Sequence, residues 1–347
     1  MTQQPITLSV LDQSPIRKGG TAADAVNETI QLAQAADRLG YRRYWLAEHH
    51  SSGALASASP EVLITRVAAA TENIRVGSGG VMLSHYSPLK VAETFRMLEA
   101  LYPGRVDLGI GRAPGSDLIT AEALGRGFAA GPENYPGQLV DLYGFLTDQL
   151  PASHPYERVR AMPRITTVPE LWLLGSSSPS ALYAAELGWG FSFAQFISPE
   201  GGQSVVRAYR ERFKPSREAD GPRASIGVSV VCADTADEAD YLSWSIRAFR
   251  LALRQGHPGP IRSPEDVLAT PFSDMERALI DSMRNRTISG TPGQVRESLA
   301  RMAEEYAVDE FVIVTITYDL QARLRSYELL AEEFGLRTPD PVLSASD

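Results

Sequence analysis

Read for polarity alone, the chain alternates two rhythms. Short, almost wholly apolar runs at residues 7–11, 44–47, 74–83, 106–110, 171–174, 190–194, 225–233 and 310–316 have the length and β-branched content of buried strands. Between them, residues 23–39, 60–71, 88–101, 136–150, 179–187, 199–213, 237–255, 291–306 and 320–334 place apolar side chains at helical spacing. The punctuation agrees. Gly40 closes the first helical stretch, Ser59 precedes the second as a candidate cap, and Pro88, Pro136 and Pro292 fall in first turns. Eight strand-then-helix units without a short internal repeat predict an α/β fold, a closed (β/α)8 TIM barrel forming one domain over residues 1–347, with insertions after strands 4 and 7. An open doubly wound sheet is the structural alternative. The proline-rich stretch 151–169 reads as an irregular or hairpin insertion, and 256–289 as an interrupted region.

In such a barrel the chemistry gathers where strands end, so the residues just after each apolar run are the ones to inspect. The second run is followed by Glu48-His49-His50. The third contains Gly77-Ser78-Gly79-Gly80 and leads to Ser84-His85-Tyr86, the fourth ends in Gly111-Arg112, and the fifth in Gly175-Ser176-Ser177-Ser178. Glycine turns expose main-chain N–H groups, and a helix start adds the positive end of its dipole. With Arg112 beside it, the serine turn forms a two-part cradle for a phosphate. Simple capping by the serines is the alternative. His49 and His50, as strand neighbours, point to opposite faces, so at most one faces the cavity; one reading makes it a proton donor or acceptor, and the alternative is one packing histidine and one hydrogen-bonded to Glu48. The glycines of the third strand permit a bulge or the close approach of a flat ligand, and they are equally compatible with plain packing.

Composition narrows the classes. A formal charge of −9 without a clustered basic face argues against general nucleic-acid binding. The single cysteine, Cys232, rules out an internal disulfide or a thiolate metal cluster and suits the cytoplasm. No signal peptide and no membrane-length apolar run is read. A barrel metallohydrolase built on His49, His50 and His85 is a rival class, but its usual H-x-H pair on one strand face is missing, and His154 and His257 fall in insertions. No metal is expected.

In their order along the chain, Glu48-His49-His50, the V-G-S-G-G-V-M-L run from Val76 to Leu83, G-I-G-R ending at Arg112 and the G-S-S-S turn resemble the bacterial luciferase-like flavin-dependent monooxygenases. The likeness runs from Leu8 to about Phe334 and is nearer to single-chain oxidoreductases than to the light-emitting enzyme. The resemblance implies a barrel that binds reduced FMN, or in some relatives the deazaflavin F420, at the strand C-termini. It implies that Arg112, Ser176 and Ser178 hold the flavin phosphate with main-chain help around Ser177, and that a non-prolyl cis peptide falls at Ser78-Gly79 beneath the flavin ring. It also makes His49 the active-site histidine. Activity would be oxygenation of a small apolar substrate, with Phe191, Phe193 and Phe196 as candidate wall residues; the alternatives are F420-dependent hydride transfer and a non-catalytic flavin-binding barrel. With no G-x-G-x-x-G fingerprint after an early strand, a separate NAD(P)H flavin reductase is the expected partner, and a homodimer the expected assembly. One departure stands out: Gly111 occupies the place of the light-emitting subunit's reactive cysteine, which argues against light emission. The segment 256–286, with Gly256, Pro258, Gly259 and Pro260 as a hinge, corresponds to a mobile segment of relatives and is expected to close over the site.

Overall fold

A computed structural model describes residues 5–113, 117–125 and 134–337. Nine strands occur among them: β1 (Thr7–Asp12), β2 (Arg43–Leu46), β3 (Arg75–Met82), β4 (Val106–Gly111), β5 (Glu170–Gly175), β6 (Gly190–Ala194), β7 (Ala224–Cys232), β8 (Ile288–Gly290) and β9 (Glu310–Val314). All pairings are parallel. The order runs β1 to β7, then β9, and β9 returns to β1, so eight strands close and the open-sheet alternative is excluded. The short β8 adds to the end of β7 through Val230–Ile288 and Cys232–Gly290.

Alternation along each strand sorts side chains into two cores. Leu8, Val10, Tyr44, Val76, Leu108, Leu173, Phe191, Ile226 and Phe311 point outward into the layer beneath the helices. Leu11, Trp45, Trp172, Val312 and Val314 fill the lumen, where Trp45 and Trp172 meet edge to face at 5.4 Å. The barrel floor is polar. Arg43 Nε donates to Glu310 Oε1 at 2.6 Å and Nη1 donates to Asp107 Oδ2 at 2.7 Å; Arg75 and the Trp45 indole also bond Asp107. Burial alone would push the Asp107 carboxyl up, but Arg43 and Arg75 more than offset it and hold it below the usual range. This floor opens into a cavity of about 430 Å³ lined by Arg42, Glu170, Arg210 and Arg223, at the opposite end from the strand C-termini.

The predicted helices form, with differences at the punctuation. Ser59 precedes the Pro60–Ala68 helix but makes no side-chain cap bond, whereas Thr21 and Asp24 form a reciprocal capping box at Ala22–Arg38. The single helix expected over 237–255 is two, Ala236–Leu242 and Trp244–Arg254, divided where the Ser243 hydroxyl donates back to Ala239 O at 2.7 Å. The interrupted region contains β8 and two capped helices, Pro264–Leu268 and Asp274–Ser282. Its start is tied to the loop after β1: Ile261 N–H donates to Ile16 O and Lys18 N–H to Ile261 O, both at 2.7 Å. The 151–169 insertion contains turns and no strand. No helix among the described residues is long and apolar enough to cross a membrane.

Candidate active site

The strand C-termini carry two groups of polar residues. On the β2–β3 side, the buried Glu48 carboxylate is an organising acceptor. Its Oε1 accepts from Tyr86 Oη at 2.8 Å and from His50 Nε2 at 2.7 Å, and its Oε2 accepts from Met82 N–H at 3.0 Å. Burial, then the Glu48 charge, pushes the Tyr86 phenol up, so it stays protonated and donates. The His85 ring stands edge-on to His50 at 6.1 Å and to Tyr86 at 6.2 Å. His50 is thus the histidine that Glu48 holds. His49 is half-buried and, like His50, lies in the loop beyond the end of β2, so the strand alternation expected of the pair does not apply; its main-chain N–H donates to Ser57 O at 2.8 Å. No three His, Cys, Asp or Glu side chains among the described residues gather closely enough to hold a metal ion.

On the β4–β5 side, the register Gly111–Leu174 brings Arg112 and the Gly175–Ser178 turn to adjacent strand ends. Gly175 is required because a Cβ there would lie 2.8 Å from Ser180, inside the helix that starts at Ser178. Ser177 has the extended N-cap conformation, yet its hydroxyl makes no cap bond, and Ser176 to Ser178 make no side-chain hydrogen bond among the described residues. The first-turn N–H groups of Ser178–Leu187 are therefore not satisfied by these serines, contrary to the capping alternative. Tyr135, not anticipated from sequence, completes the group. Its ring lies 6.2 Å from Tyr183, its buried hydroxyl finds no partner among the described residues, and Arg112 offsets part of the upward pKa shift that burial imposes on it. Only its place at the head of a helix with apolar spacing was visible in the sequence, and that spacing does not mark a hydroxyl. Pro114, Gly115 and Ser116 of the Arg112 turn lie outside the described residues.

Between these groups runs β3, and here two expectations change. The non-prolyl cis peptide is Gly79–Gly80, not Ser78–Gly79. It falls one residue later because the β3–β4 register jumps from Gly79–Gly109 to Val81–Ile110, which makes Gly80 the extra residue of a bulge, with the Gly109 carbonyl 2.7 Å from where a Cβ would stand. The glycines are also packing residues: a Cβ on Gly77 would meet Asp107 O at 2.3 Å, and one on Gly79 would meet Leu11 Cδ1 at 2.7 Å. Ser78 is buried, its hydroxyl donating to Gly109 O at 2.9 Å while accepting from Gly109 N–H at 3.1 Å, so only main chain is left to offer a ligand at Ser78 and Gly79. Of the three phenylalanines, Phe191 and Phe193 face the outer layer against Tyr209 and Tyr306, and Phe196 alone packs on the lumen cluster.

Comparison with known proteins bears on what this arrangement belongs to. The family model for luciferase-like monooxygenases matches residues 6–310. N-acetyl-S-alkylcysteine monooxygenase of Bacillus subtilis (strain 168) is 38% identical over 329 residues, covering 94% of this chain and 98% of that protein. A crystal structure of apo-MsnO8 superposes with a TM-score of 0.88 at 40% identity, over 96% of this chain and 98% of that one. A type II Baeyer-Villiger monooxygenase, the oxygenating constituent of 3,6-diketocamphane monooxygenase from Pseudomonas putida in complex with FMN, shares the fold at a TM-score of 0.67 and 21% identity, over 95% of this chain and 98% of that one. The chain belongs to the luciferase-like monooxygenase family and is an oxidoreductase of the oxygen-incorporating kind.

Proposed function

We propose that the chain binds reduced FMN at the strand C-termini and uses it with O2 to oxygenate a small organic substrate. The observation that carries this reading is the convergence of Arg112, an uncapped helix start and the orphan Tyr135 hydroxyl on the ends of β4 and β5. Unmet donors beside a guanidinium suit a dianionic phosphate and suit little else of ordinary size. The Arg112 guanidinium, the hydroxyls of Ser176, Ser177 and Ser178, the amides that open the Ser178–Leu187 helix and Tyr135 Oη would hold it. The main chain at Ser78, Gly79 and Gly80 would border the ring. Reduced FMN supplies the electrons that activate O2.

The remaining work falls to side chains of this chain. His49 moves a proton at its ring nitrogen; Glu48 fixes His50 and Tyr86 beside it, which keeps the β2–β3 edge in one arrangement. The lumen cluster of Leu11, Trp45, Val314, Phe196 and Phe249 excludes water from the reacting end. The relative named for N-acetyl-S-alkylcysteine supports thioethers as the first substrates to try. A separate NAD(P)H flavin reductase would deliver the cofactor, and a homodimer in the cytoplasm is the working setting.

Purified protein incubated in parallel with FMN, reduced FMN and F420 tests the reading. Binding of reduced FMN, followed by O2 uptake coupled to oxygenation of N-acetyl-S-methylcysteine or another thioether in a panel, is the expected result. Binding of F420 with hydride transfer and no O2 uptake would establish the alternative, and flavin binding without turnover of any panel member would point to a carrier barrel.

A further inference from the structure

The helix Trp244–Arg254 lies against the lumen from the C-terminal side: Ile246 is buried in the lumen cluster and Phe249 packs on it. The next residue, Arg250, is partly buried and has only neutral partners. Its Nη1 donates to Thr287 Oγ1 at 2.5 Å and its Nη2 to Arg286 O at 3.2 Å; Thr287 Oγ1 in turn lies 3.2 Å from Ser229 Oγ on β7. Two of five guanidinium N–H donors are thereby used, and the other three have no partner among the described residues.

The surroundings make this more than a missed bond. Asp240 is the single carboxylate, among the described residues, that bonds any of Arg247, Arg250, Arg284 and Arg286. It accepts from Arg247 at 2.6 Å and from Arg284 at 2.8 Å, while Arg286 is turned to Ile197 O at 3.1 Å. Burial, then Arg286 and Arg247, pushes the Arg250 pKa down to about 10, the reverse of what a carboxylate partner does. A guanidinium taken partly out of water among other cations lacks its counterion. Around the barrel, β7, whose Ser229 lies against Thr287, stands opposite β3 and three strands from β4, so this cation is separate from the Arg112 cradle.

We propose that Arg250 binds a carboxylate of the substrate, so that the molecule oxygenated is a small amphiphilic acid whose apolar part lies against Phe196 and Phe249. This rests on the flavin-oxygenase reading for what happens to the acid, but not for its binding. A planar carboxylate matches the free edge of the guanidinium and can take two of its donors at once.

The test titrates acid and ester pairs into apoprotein and into protein loaded with oxidised FMN. The probes are acetate, N-acetylglycine, N-acetylmethionine and N-acetyl-S-methylcysteine, each beside its methyl ester. At least one acid should bind ten-fold or more tighter than its ester. Arg250→Gln should bring that acid to the level of its ester with FMN affinity unchanged, and Arg250→Lys should keep part of the preference and show that the position tolerates change. Acids and esters binding alike, or a preference that survives Arg250→Gln, overturns the proposal; so does loss of FMN rather than acid. Acid preference without any FMN binding would leave this site standing and remove the flavin reading instead.

Discussion

Tyr135 illustrates how a single hydroxyl can separate stability from binding. A buried phenol without a partner costs about 1–3 kcal/mol relative to a satisfied one. Tyr135→Phe is therefore expected to leave the apoprotein's melting temperature unchanged or higher while weakening FMN several-fold; equal FMN affinity would remove the hydroxyl from the phosphate site. The sequence pointed to Arg112 and Ser176–Ser178 because glycine turns after apolar runs are visible in one dimension, and the structure does put them at neighbouring strand ends. Tyr135 and Arg250 were not visible. What singles them out is the lack of a partner, and that emerges only when the rest of the fold has been placed around them.

Among elements, the eight barrel strands, four to nine residues long, were legible because burial on both faces leaves mostly apolar stretches bounded by helices. Shorter or interrupted elements were not. The three residues of β8 carry too little pattern, and the break at Ser243 depends on a hydroxyl turning back to Ala239, a choice that helical spacing does not encode. The place of the cis bond was missed by one residue for a related reason, since it follows the β3–β4 register. That register is enforced by close main-chain approach. A Cβ on Gly109 would stand 2.2 Å from Ser78 O, so Gly109→Ala should lose more than about 3 kcal/mol or fail to fold. Gly137, in the Tyr135–Thr147 helix with nothing within 4 Å of a Cβ, gives the opposite sign: Gly137→Ala should gain roughly 0.5–1 kcal/mol in a denaturant titration. Similar losses at the two positions would contradict the packing account of the glycines.

At the scale of the whole molecule, the barrel is tied at its floor by charges from five strands: Arg43, Arg75, Asp107, Glu170 and Glu310. These residues were unremarkable in the sequence, where Arg43 and Glu310 are 267 positions apart. Because Arg43 and Arg75 hold Asp107 below its unfolded pKa of about 3.9, its contribution is complete above that value and is lost as pH falls through the lower, folded one. Asp12, pushed up by burial but held low by Arg323 and Tyr44, acts in the same direction. Asp107→Asn should cost about 3–5 kcal/mol at pH 7, with the gap to wild type narrowing below about pH 4 as the wild-type carboxylate also becomes neutral. Melting curves from pH 7 to pH 3 read this directly, and a gap independent of pH would mean the charge is not what matters.

The central claim is that a phosphate is held where β4 and β5 end, and it is tested most directly by comparing two cofactors that differ only in that group. Affinities of the wild-type protein and Arg112→Ala for FMN and for riboflavin give the answer. The wild type should prefer FMN by a wide margin, and the variant should lose FMN binding by ten-fold or more while its riboflavin affinity barely changes. Equal losses for both, or no preference for FMN in the wild type, would contradict the account.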